Sequence, residues 1–298
     1  MELIAFLRSG CGGVQAVTAG ARRCSRLLAV CCLLNVAAAN ALYAQSSAAA
    51  PAADEDDAAV LVPAEPDFVV INLPSTMRLP LFKGNFRLTH RFAGNLRRGS
   101  FSEQASSLFG IDQGATIGFE YRIAVAPNVQ ASFYRTSFDR TIQLHAKYDG
   151  IRQRRSMPVS ISPLASIEGT DNFQEKYAPS VGVVISRTVG TRVAAYLTPI
   201  WVDNTAASLD VDRSTTYLGV GGRVRVKGST YVAAEIVPRL AGYAPDEASY
   251  GVSIEKRVGS HMFSLTFTNS FGTTFAQVAR GGTSTSLFLG FNLGRKFY

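Results

Sequence analysis

Arg87 and Arg91, Glu120 and Arg122, Arg223 and Arg225, Glu235 and Arg239, and Glu255 and Arg257 stand two or four residues apart, with Lys147 a further charge of the same kind. Their neighbours in each stretch are largely apolar. An even spacing sends side chains to one face of an extended chain, so these groups can gather on a shared surface. Guanidinium and carboxylate groups gathered in this way can pair as filler, or leave a positive excess that draws small anions along a polar passage. An unpaired charge away from bulk water is costly, so each group must pair or stay wet.

Other chemistry has thinner support. His90 and His261 lie near the ends of apolar stretches with Ser264 close to the second, which raises an Asn–His–Ser arrangement acting on lipid. A histidine at a membrane interface is more commonly an anchor. Asp210 and Asp212 could form a paired-carboxylate or calcium site, but an Asp-x-Asp in a polar loop ordinarily shapes a turn. "GVGG" at 219–222 lies within a strand-like run and "KGST" at 227–230 reads as a hairpin turn, so neither precedes the helix whose amides hold phosphate. No catalytic, metal or cofactor site is predicted.

The elements that must carry the charges are strands. In "TIGFEYRI", Ile117, Phe119, Tyr121 and Ile123 alternate with Thr116, Gly118, Glu120 and Arg122, and the same period of two recurs along the chain. About twelve strands are predicted, beginning near residues 83, 114, 128, 140, 157, 176, 191, 214, 229, 247, 260 and 284. No apolar run of about 18 residues follows residue 67, which excludes a spanning helix there. Short turns near 127, 190, 228 and 259 alternate with long links, as in a transmembrane β-barrel. The links near 139 and 150 fit this alternation less well. Ten or eleven residues tilted by about 40° cover roughly 25 Å, the height of an apolar band. The other face is rich in Gly, Ser and Thr. The fold class is therefore all-β, an antiparallel transmembrane barrel of about 12 strands with its apolar face outward.

Residues 1–44 read as a signal peptide: a basic stretch at Arg22-Arg23-Cys24-Ser25-Arg26, an apolar run from Leu27, then small residues. All four cysteines (Cys11, Cys24, Cys31, Cys32) fall inside it, so the remainder has neither disulfides nor thiolate metal sites. Removing four arginines and one glutamate with the leader lowers the formal charge from +8 to +5. Residues 45–66 form an acidic Ala/Pro linker of disordered composition, and 67–298 is the barrel domain. "DFVVINLPST" (67–76) is apolar and broken by proline. It fits either a periplasmic lead-in or a plug whose Asn72 and Thr76 meet lumen groups.

"INLPSTMRLP", "KGNFRLTHRF", "LFGIDQGATIGFEY", "MPVSIS" and "EIVPR", spread over about residues 70–298, resemble an uncharacterised family of bacterial outer-membrane β-barrel proteins. The resemblance implies a fold and a location but no settled activity. The apolar, aromatic ending Leu289, Phe291, Leu293, Phe297 and Tyr298 resembles the C-terminal signal read by the outer-membrane barrel-assembly machinery. Phe297 keeps the apolar register and Tyr298 departs from it by one step. The expectation is an outer-membrane barrel, exported by its signal peptide. It would act as a small passive channel with a net basic lumen or as a structural barrel for a periplasmic partner. Membrane lipid is an expected partner. Export and the lack of a basic helix argue against nucleic acid. An outer-membrane barrel enzyme acting on lipid and a secreted soluble β-barrel or sandwich binding an apolar ligand are the alternatives. Filler is preferred over an open passage, because twelve strands lie between small filled barrels and wide porins.

Overall fold

The computed structural model describes residues 63–206 and 213–298; the predicted leader, most of the linker and the Asp210/Asp212 pair lie outside the described residues. The period-two stretches become strands β1 (Gly84–Asn95), β2 (Ala115–Ala126), β3 (Val129–Thr136), β4 (Ile142–Tyr148), β5 (Ser160–Gly169), β6 (Glu175–Val189), β7 (Val193–Val202), β8 (Thr215–Lys227), β9 (Thr230–Val237), β10 (Arg239–Gly242), β11 (Ser249–Val258), β12 (His261–Thr268) and β13 (Phe288–Lys296). β9 and β10 both pair with β8, through Ile236↔Val220 and Arg239↔Tyr217. They are one barrel strand interrupted at Pro238, which has no N–H to give to the ladder. Twelve barrel strands result. Each pairs antiparallel with its neighbours, and β1 pairs with β13 (Leu88↔Leu293), so the sheet closes and leaves no edge.

Burial is inverted relative to a water-soluble sheet. Outward-facing Phe119, Tyr121, Phe133, Leu197, Ile254 and Leu265 are 38–54% exposed, whereas inward-facing Arg91, Arg122, Lys147 and Arg223 are at most 2% exposed. A continuous apolar belt of this kind is unfavourable against water and favourable against acyl chains. Register is fixed by the same contrast: Arg87 stands opposite Glu120 and Leu88 opposite Phe119. A slip of one residue would turn every charge toward lipid.

Four connections at one end of the barrel are tight turns at Asn128, Gly190, Gly228 and Gly259, each with positive φ (63°, 55°, 49° and 57°). We call this the turn end; β1 begins there and β13 finishes there. The longest links, 96–114 and 269–287, lie at the loop end, beside a short one at 170–174. The two links that fitted poorly have distinct causes. Residues 137–141 form only a tight 3-10 turn at the loop end. Residues 149–159 form an extended link at the turn end that folds back on itself, with Ile151 bridging Ile161 and Arg154 bridging Met157. β5 therefore starts at Ser160 and not near 157, and β13 starts at Phe288 after loop residues 284–287.

Candidate functional site: the occupied lumen

Residues 63–80 do not lead past the barrel; they enter it. The chain comes in at the turn end, where Tyr231 Oη donates to the Pro63 carbonyl (2.9 Å) and Lys296 Nζ to that of Pro66 (2.6 Å). It turns at Val70–Leu73, with Val70 N–H donating to Leu73 C=O (2.8 Å) and Ser75 N–H to Phe68 C=O (2.8 Å). It then returns to the turn end, where Arg78 Nη1 donates to Asn128 Oδ1 (3.1 Å). Asp67–Thr76 is thus the tip half of an inserted hairpin.

A hairpin with so few internal bonds leaves backbone groups that must find partners once buried. The wall supplies them by sign. At the tip, the N–H groups of Ile71, Asn72 and Leu73 converge on the Glu235 carboxylate at 3.0, 3.0 and 3.1 Å. The carbonyls face cations: Arg223 Nη2 donates to Val69 (2.9 Å) and Val70 (3.3 Å), and Lys147 Nζ donates to Ser75 (2.8 Å) and Met77 (2.9 Å). Asn292 Nδ2 reaches Ile71 C=O (3.2 Å), while Arg91 bonds Asn292 Oδ1 (2.8 Å) and Asn72 Oδ1 (3.3 Å). Thr76 N–H donates to Glu65 (3.1 Å) within the hairpin. Phe68 lies between Arg122 and Lys296, each 5.5 Å from its ring centre, a favourable placement of cations over a π face.

The same cations also pair within the wall. Glu120 holds Arg87 (2.8 Å) and Arg122 (2.7 Å), Glu255 holds Arg223 through two bonds (2.6 and 3.1 Å), and Asp149 holds Lys147 (3.2 Å). Arg223 on β8 reaches Glu255 on β11 across β9, where the intervening residue is Ala233. Arg87, Lys147 and Arg223 each bond both a wall carboxylate and the hairpin backbone, which makes their burial tolerable, and Arg122 pairs with Glu120 beneath the Phe68 ring.

Space for the hairpin comes from glycine and alanine. A Cβ on Gly219 would lie 2.5 Å from Leu73 Cδ2, one on Gly251 3.1 Å from Ile71 Cδ1, and one on Gly221 3.5 Å from Val70 Cγ2. Ala194 and Ala233 pack with Val70 and Ile71, and Ala124 packs with Phe68, Val69 and Leu79. The glycines that read as a wet inner face are seats for apolar side chains.

The loop end is filled by a second insertion from the β12–β13 link, ending in the short helix Phe275–Arg280, whose first five residues are buried. Thr274 and Gln277 form a capping box. Glu168 on β5 accepts from Thr274 Oγ1 (2.7 Å) and Ala276 N–H (3.1 Å). At the helix end, Arg239 Nη1 donates to Arg280 C=O (2.9 Å) and Arg280 pairs with Asp139 (2.9 Å). Phe275, Ala276, Val278 and Ala279 join Leu73 of the hairpin tip in one apolar cluster with Val184, Ile200, Val202, Tyr217 and Val237. Hairpin and helix therefore meet inside the barrel. Between them lies a cavity of about 20 Å³, lined by Asn72, Arg87, Glu120, Arg122, Tyr134 and His145 among others. That is room for a water molecule or two.

Of the residues the sequence assigns to the lumen, Arg87, Arg91, Glu120, Arg122, Lys147, Arg223, Glu235 and Glu255 are buried inside. Arg225, Arg239 and Arg257 share their face but sit at the ends. Arg225 bonds Thr191 (2.8 Å) and Arg257 bonds Gly259 C=O (3.2 Å) at turns, and Arg239 caps the helix. Glu168, Asn292, Gln143 and Tyr134 are also inside, although the spacing of the charges does not mark them; their inward parity along the strands is the signal that finds them. Leu289, Phe291 and Leu293 lie on the outward face of β13, with Phe297 and Tyr298 just beyond the strand. His90 faces outward, stacked on Phe291 at 4.8 Å, and His261 faces outward at the turn end, while Ser264 points inward at 5% exposure. The wall separates the members of an Asn–His–Ser centre. A buried Ser132–His145 pair (3.0 Å) lies inside beneath Phe275.

A closed antiparallel barrel with apolar side chains outside, charges inside and its own chain threaded through the lumen defines a membrane-spanning β-barrel of occupied type. The chain belongs to the family described as membrane bound beta barrel domain (DUF5777), which matches residues 67–297. No curated protein matches the sequence. Solved structures of related shape include the KdgM porin in complex with disordered oligogalacturonate (TM-score 0.47, 9% identity, 72% of this chain and 99% of that one). An outer membrane channel from Pseudomonas putida F1 (0.47, 11%, 74% and 97%) and the NanC porin (0.46, 8%, 72% and 99%) are similar to the same degree. At that degree of likeness these structures carry no argument about solutes.

Proposed function

We propose that the protein is an outer-membrane barrel that works as a gated channel, closed at rest by hairpin 63–80 at the turn end and by the Phe275–Arg280 segment at the loop end. The observation that supports this most is that the filler is separable from the wall. A barrel built only for rigidity can fill itself with its own side chains. Here the wall carries glycines at 219, 221 and 251 and a lining of paired charges, and the apolar bulk arrives on a segment joined to β1 by a single link. Short turns are periplasmic in barrels of this kind, so the hairpin enters the barrel from the periplasmic end. Strands carry the apolar belt, and no helix among the described residues is long and apolar enough to cross a membrane. With the hairpin withdrawn, the wall presents Arg87, Arg91, Arg122, Lys147, Arg223 and Lys296 against Glu120, Asp149, Glu168, Glu235 and Glu255, a slight positive excess that favours small anions.

Planar-bilayer recording tests the reading. The intact chain should be silent, and a variant with residues 63–80 removed and 275–280 replaced by a Gly/Ser link should conduct, with each single change giving less. Silence of the doubly altered barrel, shown to be folded by heat-modifiable gel mobility, would refute gating and leave a structural barrel.

A further inference from the structure

Exposed acidic side chains are confined to one end of the barrel, whereas exposed cations occur at both. Every exposed acid among the described residues (Glu103, Asp112, Asp139, Glu175, Asp246, Glu247) lies at the loop end. The turn end exposes Lys83, Arg152, Arg154, Arg155, Arg187, Arg192, Lys227, Lys256 and Arg295 with no exposed acid beside them; its described carboxylates, Glu65, Asp67 and Asp149, are turned into the lumen side. Three of these cations are placed by strand register and not by loop position. Arg187 continues the outward face of β6 after Ile185, Lys256 that of β11 after Ile254, and Arg295 that of β13 after Leu293.

The outward face does not end with these cations. Two residues further toward the turns come Val189, Val258 (54% exposed) and Phe297 (43% exposed), and the Arg295 guanidinium lies 5.4 Å from the Phe297 ring centre. Apolar side chains on both sides keep this level of the wall within the membrane interface. Long cationic side chains there keep their stems on apolar surface and carry their charge to the headgroup layer. A soluble acidic partner would meet the rim residues first and these three last.

We infer that Arg187, Lys256 and Arg295 form a collar that binds the phosphates of anionic phospholipids in the leaflet around the turn end, with Arg152, Arg154 and Arg155 extending the field. The collar is independent of whether the lumen opens. Each Lys or Arg near a charged membrane surface changes partition by roughly fivefold, so three should shift lipid preference by at least about tenfold after screening.

The test uses the full chain in nanodiscs of phosphatidylcholine mixed with phosphatidylglycerol, with retained lipids identified by native mass spectrometry. Wild-type protein should retain phosphatidylglycerol preferentially, and the variant Arg187→Gln/Lys256→Gln/Arg295→Gln should lose about tenfold of that preference while Arg98→Gln at the loop end loses none. Heat-modifiable mobility establishes that the triple variant is folded. Equal retention of the two lipids by wild type, or undiminished preference in the folded triple variant, would overturn the inference. Inorganic phosphate should displace lipid no better than chloride at equal ionic strength; stronger displacement would indicate a free-anion site in place of a lipid collar.

Discussion

Replacing Glu235 by glutamine should loosen the hairpin tip without disturbing the wall. The carboxylate accepts from three backbone N–H groups at 3.0–3.1 Å, and among the described residues Ile71 and Asn72 N–H have no other acceptor. Hydrogen bonds to a charged group contribute about 1.5–3 kcal/mol each, and a buried donor left unpaired costs about 1–3 kcal/mol. Glutamine keeps one acceptor oxygen, which can serve two of the three donors, and turns an NH2 toward the third. Relief of a dehydrated carboxylate offsets part of the loss, so we expect about 2 kcal/mol, or roughly thirtyfold in the seated-to-unseated ratio of the tip. No cysteine follows Cys32, so Val70→Cys in a chain refolded from residue 45 gives one label site, buried at 2% exposure. Its reaction with a membrane-impermeant maleimide should accelerate about thirtyfold in the Glu235→Gln background. An unchanged rate, in a barrel of unchanged melting behaviour, would show that the Glu235 contacts do not hold the tip.

Three further outcomes follow from the same geometry. Gly219→Leu should displace the tip, since even a Cβ there lies 2.5 Å from Leu73 Cδ2, and Leu73→Ala should partly restore it; the Val70→Cys labelling rate reads both. Glu168→Ala removes the acceptor shared by Thr274 Oγ1 and Ala276 N–H, costing about 1–2 kcal/mol at the helix start, and should expose 271–283 to limited proteolysis from the loop end. Arg223→Met strands Glu255 and should cost about 3–5 kcal/mol, whereas Arg223→Met/Glu255→Leu should cost less than the single change, measured by urea unfolding in micelles.

The strands were legible because alternation is local: Phe119 and Tyr121 against Glu120 and Arg122 fixes both period and face from a few residues. Parity does not fix depth along the barrel. Arg223 and Arg225 therefore look alike in sequence, although one is at the hairpin and the other at a turn. Depth follows from strand tilt and closure, which depend on the whole sheet. Glu168 escaped notice because "SISPLASIEG" carries Pro163, which obscures the alternation of a strand that forms nonetheless. The hairpin was the least legible element. Apolar Phe68, Val70, Ile71 and Leu73 are equally compatible with a lead-in, and what seats them lies far along the chain, at Gly219, Glu235 and Gly251.

Residues 63–80 of the chain itself occupy the barrel, and a cross-link tests this most directly. Leu73 and Gly219 lie close enough across the lumen, Leu73 Cγ being 3.3 Å from a Cβ at 219, for cysteines at both positions to meet disulfide geometry. With Leu73→Cys/Gly219→Cys the folded protein in membranes should oxidise rapidly and nearly completely to one intramolecular disulfide, while Leu73→Cys paired with a cysteine at outward-facing Phe263 should not. A folded double-cysteine barrel that stays reduced, or that cross-links only between molecules, would place the hairpin outside the lumen and contradict the account.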